Sequence, residues 1–147
     1  MQQSRTTLRC RTPGRGLIDL TARIDNWLDT QPVGFGLLLV FVQHTSASLL
    51  IQENADPDVL TDLERFFARL VPDADSLFEH SAEGPDDMPA HVRAALTATQ
   101  LTVPISDNRM ALGTWQGVYL YEHRTRPHER RIILHCMGTS TDARAAR

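Results

Sequence analysis

The sequence predicts an α+β fold, a single domain in which a largely antiparallel sheet is packed with helices. Three observations carry this expectation. Residues 35–42, FGLLLVFV, are continuously apolar; residues 56–70 repeat apolar side chains at helical spacing; and the last third of the chain holds three more strand-like runs. With 147 residues and 41% apolar content, the chain can bury one sizeable core. The domain is expected to span residues 1–147, with 1–4 and 141–147 as frayed tails.

Residues 6–20 carry Leu8, Cys10, Leu17, Ile18 and Leu20 around the breaker PGRG, which reads as two short strands joined by a turn. Thr21 is suited to cap a short helix, with Ile24, Trp27 and Leu28 at helical spacing and a stop before Pro32. The run Phe35 to Val42 reads as a central strand covered on both faces. Asp56 then supplies a capping carboxylate, and Pro57 occupies the helical position where a missing N–H costs nothing. Val59, Leu60, Leu63, Phe66, Phe67 and Leu70 form the apolar stripe of the helix that follows, and this stripe should pack on the sheet. Pro72 ends that helix. The acidic stretch Asp73 to Asp87 should be a long loop, and Pro89 should open a second helix through about Thr99. Leu101 to Ile105, Gly117 to His123 and Arg131 to Met137 read as strands of an antiparallel meander, with turns at Asp107-Asn108 and around Pro127. Alternation in the middle strand puts Tyr119, Tyr121 and His123 on a half-polar, open face.

Charge and cysteine content narrow the function classes. A formal net charge of -3 offers no basic field for a phosphate backbone, so nucleic acid is not an expected partner. Two cysteines, Cys10 and Cys136, lack metal-ligand spacing and fit a reducing compartment. No apolar run is long enough to cross a bilayer, so a cytoplasmic protein without a membrane partner is expected. No lysine is present, which excludes a Schiff base through a side chain.

Three constellations can carry chemistry. His44-Thr45-Ser46 follows the apolar strand and precedes Asn54, so an imidazole, hydroxyls and an amide gather at a strand's exit, where they can hold an anion or merely close a turn. In the acidic loop, His80 and His91 bracket Glu83, Asp86 and Asp87. Imidazoles with carboxylates suit a divalent transition metal such as zinc, and carboxylates with a substrate phosphate suit magnesium; a solvated acidic loop gives the same residues. Thr114-Trp115-Gln116 between two glycines can wall a pocket or anchor an interface, just before a strand ending in His123 and Arg124.

The runs QHTSASLLIQENADPDVLTDLERF, EGPDDMPAHV and ALGTWQGVYLYEHR resemble the signature segments of the YjbQ family, also labelled secondary thiamine-phosphate synthase, over residues 5–138. The resemblance implies an α+β fold, a homotrimer, and a small-molecule site to which His44, His80, His91 and His123 contribute as metal ligands. It also implies a secondary activity that joins a hydroxymethylpyrimidine pyrophosphate to a thiazole phosphate and releases pyrophosphate. On that reading His44, Glu83, His91 and His123 are catalytic, while Thr45, Ser46, Asn54, Asp86, Asp87, Thr114, Trp115, Gln116 and Arg124 meet a phosphorylated substrate. Arg124 is the preferred cation for pyrophosphate, in a chain without lysine. Metal-dependent hydrolysis of a small phosphate or acyl compound, and metabolite or metal binding without turnover, are the alternative readings.

Overall fold

A computed structural model describes residues 1–140 of the chain. Its elements, in order, are β1 (Gln2–Arg11), β2 (Gly16–Asp19), α1 (Thr21–Leu28), β3 (Phe35–Val42), β4 (Ala47–Glu53), α2 (Pro57–Leu70), α3 (Asp87–Leu96), β5 (Gln100–Ser106), β6 (Arg109–Met110), β7 (Gln116–Glu122) and β8 (Glu129–Thr139). Two antiparallel sheets result, β1-β8-β3-β5-β6 and β2-β7-β4. One core joins them: Leu38, Val40, Ile132 and Leu134 of the larger sheet pack with Leu49, Val118 and Leu120 of the smaller and with Ile24 and Leu28 of α1.

The predicted class is present, and several details differ for identifiable reasons. Residues 2–4 are not frayed, because β1 runs from Gln2 and pairs with β8 from Gly138 to Glu129. The other expected tail, 141–147, lies outside the described residues. Thr21 is the first helical residue, not the cap; its Oγ1 accepts from the Val118 N–H at 2.9 Å, while Asp19 Oδ1 accepts from the Thr21 N–H at 2.8 Å. Asp56 does cap α2, accepting from the Asp58 N–H at 2.9 Å. The last three strands are not a meander: β5 and β8 flank β3 in one sheet, whereas β7 is central in the other. Strands β4 and β6 have no clear signal in the sequence, since β4 continues directly from the polar turn His44-Thr45-Ser46 and β6 has only two residues.

The outward face of β7 is closed, not open. Helix α2 lies over it, with the Phe67 ring 5.7 Å from that of Tyr121 and Glu64 accepting from the Tyr121 hydroxyl at 2.6 Å. Arg93 of α3 is fully buried nearby, donating to the Val71 carbonyl at 2.9 Å. Tyr119, Tyr121 and His123 are therefore buried. None of the α2 side chains is fully covered in return, and Phe66 and Leu70 stay exposed. Helix α3 begins at Asp87, two residues before Pro89, and ends at Leu96.

Candidate functional site

The 71–86 loop and the first turns of α3 assemble the site. Asp87 opens α3, and His91 lies one turn on, at the four-residue spacing that puts two side chains on one helix face. The loop returns His80 to the same face. The ligand atoms of His80, Asp87 and His91 lie within 4.8 Å of one another, and both imidazoles address one carboxylate oxygen: His80 Nε2 is 2.7 Å from Asp87 Oδ2, and His91 Nε2 is 3.4 Å from it. Asp87 is buried, while His80 is half exposed beside a cleft of about 410 Å³ lined by Phe78, Ser81, Gly84 and Pro85.

Arg124 clamps the carboxylates from behind. It donates to Asp87 Oδ1 at 2.6 Å, to Asp86 Oδ2 at 3.1 Å and to the Glu83 carbonyl at 2.8 Å. Burial works to raise the Asp87 pKa, but the bond from His80 and the positive charge of Arg124 outweigh it, so the carboxyl titrates below its usual range. Asp86 is likewise depressed, with burial overridden by bonds from the Thr125 N–H, Arg124 and the Thr125 hydroxyl. Arg124 was expected to meet pyrophosphate. Instead its guanidinium neutralises the protein's own carboxylates and is largely buried.

The segment between β3 and β4 orients His91. Its Nδ1–H donates to the Thr45 carbonyl at 3.0 Å, which in the neutral ring fixes the tautomer and leaves the Nε2 lone pair facing Asp87. Thr45 thus contributes its backbone carbonyl, a role the sequence did not suggest, while its side chain is exposed beside the site. Ser46, next in the chain, is held through its carbonyl by the His123 N–H at 3.3 Å and by Arg130 at 3.2 Å, and Arg130 in turn pairs with the buried Glu122. The Ser46 hydroxyl accepts from Arg130 as well, so it does not face a substrate.

Two of the four expected imidazole ligands point elsewhere. His44 Nε2 accepts from the Arg131 N–H at 2.9 Å, at the sheet junction; burial first, then the charge of Arg130, lowers its pKa. His123 is fully buried, 2.8 Å from the Ser48 hydroxyl and with its ring centre 4.2 Å from that of Tyr121, the two planes inclined at 51°. Burial, reinforced by the positive charge of Arg93, drives its pKa down to about 3. The Ser48–His123 pair looks like a nucleophile and base, yet both residues are fully buried. Alternation exposed His123 on paper because it does not reveal that a helix covers that face.

Asn54, Thr114, Trp115 and Gln116 stand together at another place. The β4–β7 ladder runs from Ala47↔Glu122 to Glu53↔Gln116, and these four residues gather beyond its second end, with the Asn54 N–H bonded to the Trp115 carbonyl at 3.0 Å and its amide to that of Gln116 at 3.2 Å. Six residue steps of strand separate this end from Glu122, about 20 Å. Within one chain the sequence-predicted site is therefore two sites. The bracketing of Glu83, Asp86 and Asp87 by His80 and His91 was the legible signal for the first; the shared helix face of Asp87 and His91, the Arg124 clamp and the Thr45 carbonyl had none.

Comparison with known proteins agrees with this architecture. A family model described as UPF0047 protein YjbQ-like matches residues 6–139. The chain is 53% identical over 137 residues to a UPF0047 protein from Synechocystis, covering 93% of each chain. It is 46% identical to the UPF0047 protein YjbQ of Escherichia coli, across 90% of this chain and 96% of that one. Among solved structures, a conserved hypothetical protein from Thermus thermophilus superposes with a TM-score of 0.81 at 32% identity, covering 90% of this chain and 99% of its own.

Proposed function

The chain belongs to the YjbQ-like UPF0047 family, and from that premise we propose a divalent-metal-dependent enzyme acting on a small phosphorylated molecule, its metal held by His80, Asp87 and His91. One observation carries this reading. With Nδ1–H given to the Thr45 carbonyl, the Nε2 lone pair of the neutral His91 ring faces a carboxylate oxygen 3.4 Å away, acceptor against acceptor. A cation between them relieves that opposition, and two imidazoles with one carboxylate are a donor set that zinc accepts more readily than magnesium does. When bound, such an ion supplies Lewis acidity and neutralises charge on a leaving phosphate.

The chain's own residues do the remaining work. Arg124 keeps Asp87 ionised, Thr45 keeps the His91 lone pair aimed inward, and half-exposed His80 closes the set from the loop. Glu83, 71% exposed at the rim with its carbonyl fixed by Arg124, is the candidate proton acceptor. Transfer of the thiamine-phosphate-synthase type, in a homotrimer, is the first reading of the reaction. Hydrolysis of a small phosphate or acyl compound is the second; it is favoured because Arg15, Arg124 and Arg130 are all engaged with the protein's own acids, leaving little guanidinium charge for a doubly phosphorylated substrate pair.

The test is elemental analysis of unsupplemented protein, then assay of thiamine phosphate formation and of a hydrolysis panel with zinc, manganese or magnesium. His91→Ala and Asp87→Ala should each weaken metal binding on the order of 100-fold and remove turnover. Undiminished metal affinity in both variants sinks the proposal; metal retained stoichiometrically with no turnover on any substrate leaves a metal-binding protein in place of an enzyme.

A further inference from the structure

At the far end of the β4–β7 ladder the structure holds a second cleft that the metal-centred reading does not use. It has a volume of about 620 Å³ and is lined by Ile51, Gln52, Glu53, Ala55, Trp115 and Gln116, a size within the roughly 300–1,000 Å³ of small-ligand pockets. Trp115 is 64% exposed there, a large area for an indole to leave in water. The Gln116 side-chain oxygen accepts from the Gly113 N–H at 2.8 Å, so the turn that presents the indole is pinned. The Glu53 backbone N–H is capped by the Gln52 side chain at 2.9 Å, but among the described residues the Glu53 carboxylate, partly withdrawn from solvent, meets no cation or donor.

Local charge is one-sided. Glu53 is followed by Asp56 and Asp58, and neither segment that forms the cleft, 47–58 or 110–119, contains an arginine or lysine. An anion is therefore repelled. A neutral apolar guest would cover the indole but leave the carboxylate unpaired and further desolvated. A cation answers both walls at once, since the indole face is the negative end of a ring quadrupole and the carboxylate supplies the opposite charge. A subunit interface centred on Trp115 fits less well, because charged residues are depleted at interface cores.

The geometry points to this cleft as a binding site for a small organic cation, a quaternary or methylated ammonium or a cationic heteroaromatic ring, held between the Trp115 indole and the Glu53 carboxylate. The site stands apart from His80, Asp87 and His91 and does not depend on the metal.

Choline and its neutral carbon isostere dimethylbutanol test the assignment on the full chain at fixed ionic strength, read by the NMR shift of the Trp115 indole N–H. Choline should shift that resonance saturably in the millimolar range, and the isostere at least several-fold more weakly. Glu53→Gln should weaken choline roughly three- to tenfold. Trp115→Leu should abolish binding, followed by calorimetry because the reporter is gone. Both variants should keep the wild-type far-UV circular dichroism and urea midpoint, which shows that the fold is intact whether or not the His80 site holds a metal. Equal responses to choline and isostere, no saturable shift, or an unchanged affinity in Glu53→Gln overturns the proposal. So does a fall in sedimenting mass in Trp115→Leu, which would make the indole an interface anchor.

Discussion

Asp87 serves three cationic or ligand-bearing partners through two oxygens, with Oδ1 taken by Arg124 and Oδ2 shared by His80 and His91. Replacing Arg124 by Gln leaves Asp86 and Asp87 without their counter-charge; because these groups are buried, the cost should be about 3 kcal/mol, read as a lower urea midpoint. His123 makes a second prediction. Its pKa of about 3, against 6.5 for an ordinary histidine, means that the folded chain binds fewer protons than the unfolded chain between those values. Stability is thus complete above the unfolded value and falls as pH drops through the window, by at most about 1.4 kcal/mol per pH unit. The depressed carboxyls of Asp86, Asp87 and Glu122 lose their contribution lower, as pH falls below about 4, so unfolding between about pH 5 and pH 6.5 isolates the imidazoles. His123→Phe should flatten that slope; a slope left unchanged would assign it to His44, which is shifted the same way. At this scale Asp87 and His91 were legible as members of one acidic, histidine-bracketed segment, but their shared helix face was not, because the helix starts two residues before the Pro89 that marks it in the sequence. Arg124 was not, since its partners lie 37 and 38 positions upstream and only the fold joins them.

Among the elements, the β3–β8 crossing sets the tightest constraint. Gly36 faces Gly138 directly in register, and a Cβ on either would run into the opposite backbone, Met137 or Phe35 respectively. Gly138→Ala should therefore lower stability by about 2 kcal/mol or more, measured by denaturant unfolding, with Gly36→Ala behaving alike. Glycines within strand-like runs were visible in the sequence; that they oppose each other across 102 residues was not. Pattern reading located α1, α2, β3 and the Asp107-Asn108 turn, where both residues adopt positive φ of 52° and 60°. Each of those signals is carried by neighbouring residues. It failed for sheet membership, which periodicity does not encode.

For the molecule as a whole, the two sheets bury one face each against the shared core, and the larger sheet keeps an apolar outer face. Leu37, Phe41 and Met137 are 48%, 37% and 39% exposed there, with Leu37 directly opposite Met137. Exposed apolar patches of this kind mark association surfaces. Leu37→Asp combined with Met137→Asp should lower the sedimenting mass of any oligomer while leaving monomer secondary structure unchanged; an unaltered mass would place self-association on another surface. Among the described residues no helix is long and apolar enough to cross a membrane.

The carbonyl that steers His91 belongs to the backbone of Thr45, whose own side chain is exposed. The orientation of the His91 ring and the local surface chemistry are thereby decoupled at one position. Any residue that keeps the corner's backbone path preserves the ring orientation, so position 45 is open to deliberate redesign of what the site admits.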